Sequence, residues 1–148
     1  MPVHILGDDL PLTSSQVELL WRTVCTYLQQ PEDQANVRAV SEDEIRTLNK
    51  AYRHKDSPTN VLTFSYDAMG EPGGAGEHDI ALCLPVATRE AEAQRVTLVD
   101  YVALLLTHAF LHAKGMDHEL SLDEARATTE AEKNILTQAG FKPLTLGS

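Results

Sequence analysis

The chain has 148 residues, the size of one ordinary domain, and is read as a single domain over residues 1–148. Hydrophobic residues at 43% and charged residues at 23% are globular usage, which sets aside disordered and fibrous classes. Twelve Lys and Arg against 22 Asp and Glu leave a net charge of −10, which repels an extended polyanion unless it is gripped at one local patch.

From Met1 to Leu12 there is neither the basic start nor the apolar stretch of a signal peptide. No apolar run approaches the ~18 residues of a membrane span. The expectation is a cytoplasmic protein with no membrane partner. Cys25 and Cys83 fit neither a disulfide framework nor a C-x-x-C site and are expected as small core residues.

In chain order, Val3 to Leu6 reads as a short strand. From Ser14 to Gln30, Val17, Leu20, Trp21, Val24 and Leu28 recur on one helical face, and Pro31 closes that helix. Val37 to Val40 alternates like a half-buried strand. Ser41 and Glu44 have capping-box spacing and open a helix to about Tyr52, with Ile45, Leu48 and Tyr52 facing inward. From Arg46 to Lys55 the chain carries Arg46, Lys50, Arg53 and Lys55 with no acid, a locally basic stretch in an acidic protein. Val61 to Tyr66 is β-branched and aromatic, hence a strand.

The glycine-rich segment from Asp67 to Gly76 reads as a surface loop whose spacing does not match a G-x-G-x-x-G, so it is given no cofactor role. Ile80 to Leu84 makes a fourth strand and Thr88 to about Arg95 a short helix. A helix opened by Thr97 to Asp100 runs through Val102, Leu104, Leu105, Leu106, Phe110 and Leu111. It is apolar nearly all round and so belongs at the centre, with Gly115 as its C-terminal cap. Ser121 opens a last helix that Gly140 ends. The expected class is α+β, a small mixed four-stranded sheet with packed helices.

The central helix carries His108 and His112, four apart and therefore on one face. Gly115 breaks the helix, and His118 returns three residues later as a third nitrogen. Three neutral ligands leave a tetrahedral zinc one open position, the arrangement of a catalytic rather than a structural site. Among six histidines an H-x-x-x-H pair alone is a weak signal; the whole run around Gly115 is much rarer. The spacing is that of the metzincin H-E-x-x-H-x-x-G-x-x-H, except that Ala109 stands where those peptidases carry their general base.

At these residues the chain resembles the YbeY endoribonucleases. The run His108-Ala-Phe-Leu-His112-Ala-Lys-Gly115-Met-Asp117-His118 is similar to that family's H-G-x-L-H-x-x-G-x-D-H. Independently, the stretch from Leu48 to Phe64 is similar to L-N-x-x-Y-R-x-x-D-x-P-T-D-V-L-S-F. The resemblance implies a zincin-like domain with one zinc ion on His108, His112 and His118. It implies a single-strand-specific RNase acting on ribosomal RNA precursors, in ribosomal RNA maturation and ribosome quality control, with the ribosome or a subunit as partner and no DNA.

The family's functional arginine carries over to Arg53, whose guanidinium fork suits two phosphate oxygens and charge developing in a transition state. Asp117 has two readings, a carboxylate orienting a ligand imidazole or a cap for the turn after Gly115. Three departures stand out: Ala109 for the family's glycine, Asn60 for its usual Asp, and His78 where a glycine is usual, with an imidazole expected to crowd the cleft or approach the metal. Two rival readings remain: a zinc peptidase, opposed by Ala109, and a non-catalytic zinc-stabilised ribosome-binding factor, opposed by the open coordination position.

Overall fold

The computed structural model describes residues 3–6, 10–66, 76–116 and 121–145. The elements run β1 (Val3–Leu6), α1 (Ser14–Tyr27), β2 (Gln34–Val40), α2 (Glu42–Arg53), β3 (Val61–Tyr66), β4 (Glu77–Cys83), α3 (Leu84–Gln94), α4 (Leu98–Ala113) and α5 (Leu122–Gln138). This is the expected α+β class. The sheet is four-stranded and mixed, in the order β1-β2-β4-β3. β1, β2 and β4 are parallel, and β3 lies antiparallel to β4 at one edge.

Alternation along the strands divides the sheet into two unequal faces. The inner face supplies Ala35, Val37, Ile80 and Leu82 to a core shared with α1, α4 and α5. α4 lies at its centre: every residue from Tyr101 to Thr107 is buried, and the helix packs on α1, α3, α5, β3 and β4. That position accounts for the apolar sequence all round α4. No single helix among the described residues is long and apolar enough to cross a membrane. The outer face carries a smaller cluster, where Ile45 of α2 meets Leu62, Ala81 and Cys83, with Leu48 and Phe64 against it. Both cysteines are buried, and burial pushes the Cys25 thiol to about 11.

Local chemistry sets the helix ends. Thr13 and Gln16 form a reciprocal capping box at α1, while Thr97 and Ser121 accept the backbone N–H of Asp100 and Glu124. At α2 only half of the expected box forms. Ser41 Oγ accepts from the Glu44 N–H, but the Glu44 carboxylate turns to Arg38. Gly115, at φ +94, lies just beyond the end of α4, and Met116 N–H reaches back to the Leu111 carbonyl.

Five boundaries or orientations differ from expectation. β2 and β4 begin earlier, at Gln34 and Glu77, because parallel pairing matches these two residues and carries polar side chains into the sheet. α3 begins at Leu84 rather than Thr88, since Pro85 in the first turn needs no N–H partner. α1 ends at Tyr27, and Gln29 takes a left-handed conformation before Pro31. Tyr52 does not face inward. It is 62% exposed and rests on Phe64, ring centroids 4.8 Å apart.

Candidate metal centre

His108 and His112 lie in the last two turns of α4, where its stripe of complete burial gives way to solvent. The helix is held against edge strand β3, with Thr63 Oγ1 3.5 Å from the Ala109 carbonyl oxygen. Ala109 itself is buried, so a glutamate there would have no water-facing position.

The imidazole of His108 is oriented by a residue that sequence reasoning missed. Glu132 of α5 is 3% exposed, and its Oε2 lies 2.7 Å from His108 Nδ1. A buried carboxylate on one ring nitrogen fixes the ring and its tautomer and makes the opposite nitrogen, Nε2, the more basic donor. One signal was available. Thr128, Ala131, Ile135 and Leu136 mark the buried stripe of α5, and Glu132 falls four residues after Thr128 on that stripe. An acid there needs a partner.

The two imidazoles one turn apart, one of them backed by a carboxylate, are the donor chemistry of a divalent-metal site that takes nitrogen ligands. Asp117 and His118 lie outside the described residues, as does the glycine-rich segment 67–75. Among the described residues no group of three His, Cys, Asp or Glu stands together as a metal cage, so the set is two donors on α4 with the third sought at His118.

Next to this helix end is a buried polar chain. Lys114, the residue capping α4, donates from Nζ to Asp33 Oδ1 at 3.0 Å and to the Pro31 carbonyl at 3.0 Å, and lies 5.5 Å from the Trp21 ring centroid. Asp33 Oδ2 is 2.9 Å from His78 Nε2, and His78 Nδ1 is 2.8 Å from Ser65 Oγ. His78 is 1% exposed, and its ring nitrogens face Ser65 and Asp33. The expectation that it crowds the cleft or approaches the metal is therefore corrected: it is a buried strut between β4 and the segment before β2. The chain has the composition of a nucleophilic triad, but its imidazole has no access to a substrate, and the Asp33 carboxylate also serves Lys114.

Asn60 is explained by its neighbours. Its Nδ2 donates to Glu90 Oε1 at 2.8 Å, the same oxygen that accepts from Tyr101 Oη at 2.9 Å. A second carboxylate there would face Glu90. Burial, followed by the Glu90 contact, pushes the Tyr101 hydroxyl to about 12.

Arg53 is the exposed last residue of α2, and His54 follows it in a left-handed conformation. α2 covers the outer sheet face while α4 lies on the inner one, so the two are separated by the sheet edge formed by β3. Arg46 is paired with Asp56 at 2.8 Å, which leaves Lys50, Arg53 and Lys55 as the exposed cations of the basic stretch.

Comparison with known proteins bears on the family and the fold. A family model described as Endoribonuclease YbeY matches residues 8–140. The chain is 50% identical over 108 residues to a protein named Endoribonuclease YbeY from Burkholderia lata, an overlap of 73% of this chain and 62% of that protein. A protein of the same name from Burkholderia pseudomallei strain 1710b is 47% identical over 110 residues, covering 74% of this chain and 59% of its own. The chain thus spans about three fifths of the length of these relatives. It is also similar to the solution structure of TM1509 from Thermotoga maritima, with a TM-score of 0.61 at 27% identity over 93% of this chain and 88% of that one. By its sequence over residues 8–140, the chain belongs to the Endoribonuclease YbeY family.

Proposed function

We propose that this chain is a zinc-dependent, single-strand-specific endoribonuclease acting in ribosomal RNA maturation and ribosome quality control. Its partners are ribosomal RNA precursors and the ribosome or a subunit, in the cytoplasm. The observation that supports this most directly is His108 held by buried Glu132 with His112 one turn on. It is the donor set of a nitrogen-ligated metal centre, carried on a helix beneath an antiparallel edge strand in a zincin-like arrangement.

His108, His112 and His118 would hold one zinc ion. When bound, the ion supplies Lewis-acid polarisation of a phosphoryl oxygen and activation of water near neutral pH. The chain's own residues do the rest. Glu132 keeps the His108 ring in its ligating orientation. Arg53, at the end of the exposed cationic stretch, binds a phosphate through its planar fork and stabilises charge developing there. Lys50 and Lys55 draw the backbone of a single strand to this edge of an otherwise acidic protein. Ala109 leaves no carboxylate to shuttle a proton to a leaving amine, which sets the chain apart from zinc peptidases.

The test is metal content of freshly purified protein beside its His108→Ala, His112→Ala and His118→Ala variants, with cleavage of a labelled single-stranded RNA measured with and without chelator. The expected result is one zinc per chain in the wild type, less in each variant, and chelator-sensitive cleavage. Equal metal content in wild type and the triple variant overturns the metal assignment, and cleavage that persists in that variant overturns the nuclease assignment.

A further inference from the structure

The outer sheet face holds a cavity that the metal chemistry does not use. It measures about 270 Å³ and lies between the C-terminal end of α2 and strands β2, β3 and β4. That is just under the 300–1,000 Å³ of drug-sized ligand sites, the scale of one planar ring system with its substituents. Its aromatic lining comes from Phe64 and Tyr66, two apart and hence on one face of β3, and from Tyr52. A tyrosine at the end of a polar helix gains nothing from 62% exposure in the free protein, and its ring, tilted 59° on Phe64, presents an open π-face.

Leu6, Leu48, Ile80 and Ala81 add apolar lining, and the polar lining is three residues, Asn36, Arg38 and Asp79. Asp79 pairs with Phe64 across the β3–β4 ladder and with Asn36 across β2–β4. Asn36 Nδ2 donates to Asp79 Oδ1 at 2.8 Å, and Gln34 Nε2 donates to Asn36 Oδ1 at 3.0 Å, so the carboxylate is held in place by a two-step chain. A carboxylate has about four acceptor sites. Among the described residues one is used by Asn36, and the others remain for donors arriving in the cavity. At the rim Arg38 is neutralised by Glu44, while Lys50, Arg53 and Lys55 lie exposed along α2 and just beyond it. Acceptors and aromatic faces inside, with cations outside, match a base with its phosphates.

We propose that this cavity is a nucleobase subsite for single-stranded RNA, in which Tyr52 and Phe64 stack the base and Asp79 reads its edge. The subsite rests on the endoribonuclease reading and deepens it. Aromatic side chains on a small sheet are a recurrent platform for unpaired bases. A strand turning around β3 reaches the cavity on the outer face and α4 on the inner face, since both border the same edge strand. Because Asp79 only accepts, the subsite favours bases that offer donors side by side. Guanine presents N1–H beside its exocyclic amine, adenine and cytosine present one amine, and uracil presents one N–H flanked by two carbonyl oxygens. The expected order is guanine first and uracil last.

The experiment measures fluorescence anisotropy of labelled oligouridine hexamers in chelator, each with G, A, C or U at one central position, so that binding is read without cleavage. The wild type is expected to bind the guanosine hexamer at least fivefold more tightly than the all-uridine one. Tyr52→Ala weakens guanosine binding by about 5- to 150-fold, the range for removal of a stacked aromatic, while Tyr52→Phe retains it. Asp79→Asn erases the guanosine preference with little effect on the all-uridine hexamer. Identical affinities for all four hexamers, or binding indifferent to Tyr52→Ala, overturns the subsite, as would be found if this face were built for a protein. Cleavage with zinc restored is scored separately. A base-selective binder that never cleaves sustains the subsite and removes the nuclease reading, whereas a zinc-dependent nuclease without base selection does the reverse.

Discussion

Glu132 Oε2 lies 2.7 Å from His108 Nδ1, so the carboxylate that orients the first histidine of α4 comes from a different helix, α5. The acid is almost fully buried against the imidazole. Helix α5 therefore contributes directly to the candidate metal centre through one side chain.

Replacing this acid separates support of the site from support of the fold. Glu132→Gln keeps the shape and a hydrogen-bonding group but removes the negative charge, and should lower zinc affinity about 10- to 100-fold, the usual cost of losing a carboxylate behind a ligating imidazole. A competition titration with a chromophoric chelator reads the affinity, and circular dichroism confirms that the helices persist. Unaltered zinc affinity in a folded variant would assign the pair to packing alone.

The Lys114–Asp33 pair is expected to matter most for stability. Lys114→Met leaves Asp33 with the His78 ring as its remaining side-chain partner and removes the tie between the end of α4 and the segment before β2. Breaking a buried pair from one side costs about 3 kcal/mol at the lower end of its range, which applies because Asp33 is partly open to water. Denaturant unfolding measures the loss. The Lys114→Met, Asp33→Asn double variant should recover part of it, since no unpaired charge is then left behind, and a loss below 0.5 kcal/mol by this scale would show the pair to be a surface contact.

Asp33 also sets a pH window. Burial works to raise its carboxyl, but hydrogen bonds from His78 and Lys114 outweigh this and hold it below the ordinary value of 3.8. A carboxylate with a depressed folded pKa adds stability that is fully present above the unfolded value and disappears as pH falls through the folded one. The stability gap between wild type and Asp33→Asn should therefore be flat above about pH 5 and close below about pH 4. A gap that widens on acidification contradicts the assignment.

Much of this architecture was legible because it follows from periodicity. β1 and β3 have their expected bounds, the central helix was identifiable from Val102 to Leu111, and His108 and His112 follow from a spacing of four. The polar interior was not legible, because its logic is long-range. His78 looks like an intruder beside Asp79 until Asp33, 45 positions away, and Ser65 are seen to engage its ring. Glu132 looks like part of a charged helix until it meets His108, 24 positions away. Tyr52 occupies a helical position that looks inward, yet α2 ends where the sheet no longer covers it, and the ring lies over Phe64 at the surface.

Arg53→Ala is expected to leave zinc content and folding unchanged, since the Arg53 side chain is exposed and makes no hydrogen bond or ion pair among the described residues. RNA cleavage should fall by ~10²–10³, the cost of losing one donor to transition-state charge. Single-turnover cleavage alongside zinc analysis is the measurement. A folded, zinc-loaded variant that cleaves like the wild type would make Arg53 an ordinary solvated helix-end residue.

Substrate choice gives the final prediction: unstructured RNA is cut, while duplex RNA and peptides are not. A net charge of −10 opposes the dense phosphates of a long duplex everywhere outside the exposed Lys50, Arg53 and Lys55 stretch. A single strand bends into that stretch and avoids the rest, and its unpaired bases can stack on exposed aromatic rings. Peptide cleavage needs a group to protonate the leaving amine, and the position where metzincins place it is Ala109, buried against β3. An alkoxide leaving from a phosphodiester can instead be stabilised by the charge of the site and by Arg53. One labelled sequence as single strand and as duplex, with a generic peptide beside it, is assayed with zinc and with chelator, and the expected product ratio between strand and duplex is on the order of tenfold or more, from the salt-dependent phosphate repulsion above. Chelator-sensitive peptide cleavage with intact RNA would reverse the assignment, and equal cutting of strand and duplex would show that the acidic surface plays no part in selection.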